Sequence, residues 1–146
     1  MTEAVSVIKD APQPAQLAPH EIDLDQVEAY MLTLPQVDCP VQYHFGPGIC
    51  IRERGCPGGS LIVGHKHKFP NMSMIVQGAC AVFEDGRMTE IVAPFIFVGE
   101  PKRKVIYALT DVVWLNILST DLTDPDEIEA HFVEPSQAFR EATACS

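Results

Sequence analysis

Two histidines stand two residues apart, His65 and His67, just after the apolar run Leu61-Ile62-Val63. In an extended strand, side chains two apart share a face. The two imidazoles should therefore project together, with Lys66 and Lys68 on the other side. Paired imidazoles on one face are the beginning of a transition-metal site, for iron, zinc, nickel or manganese. A catalytic site of that kind asks for three protein ligands and one open position. Asn71 offers an amide oxygen, a weak neutral donor. His44 is the other strand histidine, and Gln42 would share its face. The metal-free alternative is a pocket in which His65 and His67 hydrogen-bond Asn71, Gln42 or water.

Lys66, Lys68, Lys102, Arg103 and Lys104 form a basic island in a chain of net charge -10. Lys66 and Lys68 read as solvated edge residues that discourage sheet-to-sheet association. Lys102, Arg103 and Lys104 read equally as turn residues, or as an anion site or partner contact. In the anion reading the chain is a sensor or carrier of a small acid. The acidic balance disfavours nucleic acid and anionic membranes as partners. Five cysteines, Cys39, Cys50, Cys56, Cys80 and Cys145, are odd in number and lack Cys-x-x-Cys spacing. They read as reduced cytosolic thiols, with Cys50 and Cys80 in the core and Cys56, in a turn, as a stray metal ligand. There is no basic-then-apolar leader, Gly-rich phosphate loop, nucleophile elbow or paired-carboxylate signature. The expected location is the cytoplasm of the producing cell.

The elements that position these residues are mostly short strands. At 146 residues the chain is long enough for one domain with a real core. Strand-like runs cover 41–45, 49–54, 60–65, 72–77, 79–84, 89–92, 95–98, 104–109 and 112–119. Gly or Pro separates most of them, and Asp85-Gly86 marks a hairpin. Many short strands at this interval make a sandwich or barrel, here over 40–120. Trp114 and Leu115 belong to a central buried strand, and the other strand aromatics to core or subunit contacts. A helix over 21–35 opens on Asp23 and ends at Pro35. A second short helix opens on Asp124-Pro125 within a C-terminal segment, 121–146. Residues 1–20, with Pro12, Pro14 and Pro19, read as an extended arm that lies along a partner or stays unstructured alone.

The spacing around the histidines resembles the first motif of the cupin superfamily: Gly, five residues, His-x-His, three or four residues, Glu, six residues, Gly. Gly59, His65, His67 and Gly78 fit it, while Asn71 holds the Glu position. The second motif, a Pro-x-Gly turn followed by a third histidine, aligns with Gly99 to Tyr107 through Pro101. Its histidine position falls at or near Val105. The resemblance implies an all-β, single-domain jelly-roll barrel with a degenerate metal site. Segments Gly64–His67, Tyr107–Trp114 and Thr120–Asp124 also resemble cupin-like proteins of tailed bacteriophages. That likeness implies a non-catalytic assembly or binding protein, as in virion decoration, capsid or tail attachment. It would form a homo-oligomer and meet other subunits through the N-terminal arm. The opposing expectation is a metal-dependent dioxygenase or isomerase using His65 and His67.

Overall fold

A computed structural model describes residues 5–9 and 23–144. The chain forms β1 (Val5–Lys9), α1 (Leu24–Met31), β2 (Val41–Gly46), β3 (Ile49–Cys56), β4 (Ser60–Gly64), β5 (Lys66–His67) and β6 (Asn71–Gln77). It continues through β7 (Ala79–Glu84), β8 (Arg87–Val92), β9 (Phe95–Gly99), β10 (Val105–Ala108) and β11 (Val112–Ser119). It closes with α2 (Pro125–Phe132), β12 (Val133–Glu134) and α3 (Gln137–Ala144). One sheet has the order β1-β4-β10-β7-β8, the other β2-β3-β11-β6-β9, and β12 pairs with β5. All pairings are antiparallel. Two such sheets enclosing one core are the expected jelly roll.

The core is built by strand alternation. Ile62, Cys80, Val82, Ile91 and Ala108 of the first sheet meet Cys56, Ile75, Val112 and Trp114 of the second. Residues of opposite parity on the first sheet, Leu61, Val63, Val105, Phe83 and Tyr107, pack outward against Met31, Leu24 and Val27 of α1. This sheet is therefore apolar on both faces, which explains its near-continuous Leu-Ile-Val and Ala-Cys-Ala-Val-Phe runs. At the far end Ile128 of α2 packs on Cys50 and Leu118.

Two turns depend on glycine. Gly78 has φ +84°, and a Cβ there would lie 2.0 Å from the Asp111 carbonyl oxygen, so no other residue fits. Asp85 (φ 51°) and Gly86 (φ 72°) make the β7–β8 hairpin turn that Asp-Gly favours.

Helix α1 begins at Asp23, whose carboxylate accepts the Asp25 and Gln26 N–H groups. It ends at Met31, before Pro35 is reached. Asp124 caps α2 in the same way. Helix α3 is a departure from expectation. Its apolar residues are Phe139 and small alanines, none buried, so little hydrophobic bulk marks it in the sequence. Ser136 starts it, accepting the Phe139 N–H at 3.0 Å.

The N-terminal segment also departs from a free arm. Residues 5–9 add a strand to this chain's own sheet, from Val5 opposite Gly64 to Lys9 opposite Ser60. The rest of the expected arm, and Cys145, lie outside the described residues. Cys56 is the last residue of β3 rather than part of a turn, and Cys39, Cys50, Cys56 and Cys80 are all buried free thiols. No helix among the described residues is long and apolar enough to cross a membrane.

Candidate functional site

The site is written into the inward face of the second sheet. On β3 the inward residues are Cys50, Arg52, Arg54 and Cys56. On β11 they are Val112, Trp114, Asn116 and Leu118, and on β6 Asn71, Ser73 and Ile75. Register sets Asn116 opposite both Arg52 and Ser73, and Trp114 opposite Arg54. The strands thereby share a polar band, with apolar residues on either side.

A cavity of about 80 Å³ opens on this band. Its lining includes Arg52, Arg54, His65, His67, Asn71, Ser73, Lys102, Lys104 and Glu129, over a hydrocarbon floor of Ile62, Ile106, Ala108, Val112 and Trp114. His65 sits between β4 and β5, and His67 ends β5. Both line the cavity, as their spacing predicts.

The C-terminal segment covers the mouth. β12 pairs with β5 at Val133–His67 and Glu134–Lys66. Lys68 donates its backbone N–H to the Phe132 carbonyl at 2.8 Å and its ammonium to the Ala130 carbonyl at 2.7 Å. Phe139 of α3 sets its ring edge-on to His65 at 4.6 Å between centroids.

A chain of hydrogen bonds holds His67. Asn116 Nδ2 donates to Ser73 Oγ at 3.0 Å, Ser73 Oγ to Asn71 Oδ1 at 2.9 Å, and Asn71 Nδ2 to His67 Nδ1 at 2.6 Å. His67 Nδ1 is thus an acceptor, and the proton of the neutral ring lies on Nε2. His65 is different. It is 4% exposed, and both ring nitrogens are buried with no hydrogen-bond partner among the described residues.

Burial first, then nearby cations, keep the two imidazoles uncharged. Burial pushes both His65 and His67 down to about 4, with Arg52 and Lys104 adding to the effect at His67. Burial also lowers Lys104, against the pull of Glu84. Lys104 Nζ lies 3.8 Å from Glu84 Oε1 and 5.8 Å from the Phe97 ring centroid.

Glu129, from α2, is the one carboxylate in the lining among the described residues. Its Oε1 accepts the Tyr43 hydroxyl at 2.7 Å and the Arg52 Nε–H. Burial raises its pKa, but Arg52 and these hydrogen bonds outweigh burial and keep it ionised. Burial and the Glu129 bond push Tyr43 up to about 12. Glu129 Oε2 is buried and has no hydrogen-bond partner among the described residues.

These residues do not fit a transition metal. Asn71 spends its oxygen on Ser73 and turns its N–H groups toward His67. Val105, at the expected third-histidine position, points away from the cavity into the cluster of Met31, Leu61 and Val63. The flanking Lys104 and Ile106 face inward instead, so a cation stands near the place of a ligand. Among the described residues no three His, Cys, Asp or Glu side chains gather to hold an ion.

The remaining expected site residues separate. His44 does not line the cavity: it is 52% exposed on the outer face of β2, with Nε2 2.8 Å from Glu53 Oε2. Gln42 shares that outer face. Lys102 lies at the cavity rim but pairs with Asp85 and Glu84. Arg103 is not an anion site. It donates to Asp25, to Glu28 Oε2 at 2.6 Å and to the Gly64 carbonyl at 3.2 Å, fastening α1 to the barrel. Of the three, Lys102 and Lys104 line the cavity, and Lys104 is the more buried.

Arg52, Arg54, Ser73, Asn116 and Glu129 were not legible as site residues. A signal did exist for the arginines: Cys50, Arg52, Arg54 and Cys56 alternate, so the arginines share the face of two buried thiols.

No family model and no curated protein sequence matches the chain. Among solved structures, the chain is similar to an ectoine synthase from P. lautus (TM-score 0.54, 10% identity, covering 70% of this chain and 79% of that one). It is also similar to a cupin superfamily protein from Desulfitobacterium hafniense (TM-score 0.49, 15% identity, 77% and 97%). A third is an HTH_3 family transcriptional regulator from Vibrio cholerae (TM-score 0.46, 17% identity). The match covers 56% of this chain and spans about half, 51%, of the regulator. The shared feature is the cupin jelly-roll fold.

Proposed function

We propose that this chain is a non-catalytic cupin-fold binding protein whose barrel takes a small organic acid without a metal. The observation that carries this reading is the cavity's lining: four cations, Arg52, Arg54, Lys102 and Lys104, against the single carboxylate of Glu129, above a hydrocarbon floor. Arg52 is held by Glu129, and Lys102 by Asp85 and Glu84, so the half-buried Lys104 is the cation that the test below probes. A carboxylate head and a short apolar tail match the two halves of the lining. The tied Nδ1 of His67 and the outward turn of Val105 weigh against a metal-dependent dioxygenase or isomerase.

The test is a titration of the purified chain with two- to six-carbon carboxylates, their amides and their amines, alongside metal analysis. Carboxylates alone should bind and raise the melting temperature, and Lys104→Met should weaken them. Stoichiometric iron, zinc, nickel or manganese, or no preference for acids, would overturn the reading.

Assembly has separate support. The outward face of the second sheet carries Met72, Met74 and Val76 on β6, Ile96 and Val98 on β9, and Leu115 and Ile117 on β11. Register places Met72 opposite Val98 and Ile117, and Met74 opposite Ile96 and Leu115. Ile96 and Val98 are 60% and 61% exposed. Three strands about 4.8 Å apart and roughly 20 Å long give a patch on the order of 300–400 Å². That is about half of what each partner buries in a standard interface. A second copy of this chain fits it as a weak, concentration-dependent dimer, the uncharged face avoiding the repulsion between two acidic chains. Light scattering across a concentration series should show dimer, lost in Ile96→Lys. A monomer at every concentration would exclude it. Neither the fold nor the similar structures support incorporation into a virion.

A further inference from the structure

We propose, resting on the acid-binding reading above, that the ligand carries a hydroxyl beside its carboxylate: the cavity is built for a short hydroxycarboxylate. A carboxylate only accepts hydrogen bonds. It can meet Arg54 and Lys104, but it offers nothing to Glu129 Oε2, which also only accepts and repels it. Oε1 of the same carboxylate is already engaged by Tyr43 and Arg52, while Oε2 is buried and unbonded among the described residues. A buried acceptor without a donor has lost its hydration with nothing in return. The occupant must therefore bring a donor.

His65 narrows the donor further. Its two ring nitrogens, buried and unbonded among the described residues, give the neutral ring one donor and one acceptor. A hydroxyl both donates and accepts, so it can donate to Glu129 Oε2 and accept from His65, or donate to His65 instead. An ammonium group donates only, so it can meet Glu129 Oε2 but cannot accept from the His65 ring N–H. A neutral hydroxyl satisfies the polar atoms without adding charge. The cavity of about 80 Å³ bounds the size. At roughly 10–15 Å³ for each water-sized position it holds about five to eight such groups. With three oxygens in a hydroxycarboxylate, that corresponds to an acid of about two to five carbons, its chain against Ile106 and Trp114.

The test uses matched triplets on the full chain by isothermal titration: lactate, propionate and alanine; then 2-hydroxybutyrate, butyrate and 2-aminobutyrate; with 3-hydroxybutyrate for hydroxyl position. At least one hydroxy acid should bind tenfold or more tightly than both its deoxy and amino counterparts. In Glu129→Gln, with folding checked by circular dichroism, that preference should fall to within about twofold, because the amide presents a donor where the carboxylate accepts. His65→Leu should also reduce it, which keeps the inference testable if Glu129→Gln does not fold. Equal binding of hydroxy and deoxy acids would overturn the hydroxyl inference and leave the acid-binding reading intact. Tightest binding by the amino acids would also overturn it. No binding by any acid would remove the reading and the inference together.

Discussion

Asn71 gives its amide N–H to Nδ1 of His67 at 2.6 Å, at the position where the motif's glutamate would stand. The consequence is tautomeric. Nδ1 accepts, so neutral His67 carries its proton on Nε2 and has no lone pair to turn toward an ion in the cavity. Ser73 and Asn116 fix the direction of the bond by holding the Asn71 oxygen. An amide at position 71 thus decides which ring nitrogen of His67 carries the proton.

This arrangement makes a prediction about metal. The wild-type chain should purify with far less than one equivalent of iron, zinc, nickel or manganese. Nitrogen-15 NMR should show His67 as the Nε2–H tautomer. Asn71→Glu replaces the donor with an acceptor, so Nδ1–H should become the favoured tautomer and cobalt affinity should rise by about tenfold or more. Wild-type His67 in the Nδ1–H form would contradict the hydrogen-bond chain.

Much of the fold could be read from the residues because short-range rules decide it. Asp85-Gly86, the Gly78 turn and the alternation along β3, β6 and β11 each act within a few residues. The pairing of His65 with His67 in one cavity follows from the same periodicity. What escaped reading depends on distant chain segments. Glu129 enters the cavity only because α2 folds back onto β3 and β11, and Val105 turns outward by a one-residue difference in β10 phase. A slip of one residue changes the face of every side chain in a strand. Arg103 looks like part of a basic run until α1 brings Glu28 to it.

Acid should unfold this protein early. His65 and His67 stand near 4 in the folded chain and near 6.5 when unfolded. Below 6.5 the unfolded chain takes up protons that the folded chain refuses. The stability these groups contribute is therefore complete above pH 6.5 and is lost as pH falls toward 4. Each tenfold drop in proton affinity on folding corresponds to about 1.4 kcal/mol, so the loss should be on the order of a few kcal/mol. Urea midpoints at pH 7.5, 6, 5 and 4 measure it. His65→Phe combined with His67→Gln should flatten the dependence over that window.

The Tyr43–Glu129–Arg52 cluster should behave as one unit. Glu129→Ala removes the acceptor for the Tyr43 hydroxyl and the charge partner of Arg52 together. Breaking a buried pair in this way costs about 3–5 kcal/mol. Glu129→Gln keeps an acceptor and should cost less, about 1–3 kcal/mol. Chemical denaturation measures both, and equal losses would mean that charge has no part in the cluster.

Arg103 is predicted to matter for folding rather than for binding. Glu28 is fully buried, 0% exposed, and takes the Arg103 Nη2–H at 2.6 Å. Arg103→Ala should cost about 3 kcal/mol, since it leaves a buried carboxylate short of its cation. Arg103→Lys should recover only part of this, because one ammonium cannot reach Asp25, Glu28 and the Gly64 carbonyl together. Unchanged acid binding in whatever fraction remains folded would separate this role from an anion site.

Deletion of residues 1–9 separates two accounts of the N-terminal segment. β1 completes one edge of its sheet, pairing five residues with β4, and Ile8 packs on the cluster of Met31, Leu61, Val63 and Val105. Half-burying an isoleucine contributes about 1 kcal/mol, and covering the β4 edge adds to it. The deleted chain should therefore unfold at lower urea, by about 1–3 kcal/mol. Its self-association should persist, because the apolar outward face lies on the other sheet, at β6, β9 and β11. Loss of the dimer with an unchanged urea midpoint would instead assign the segment to a partner, as its prolines led one to expect. The two readouts, midpoint and mass in solution, move in opposite combinations under the two accounts.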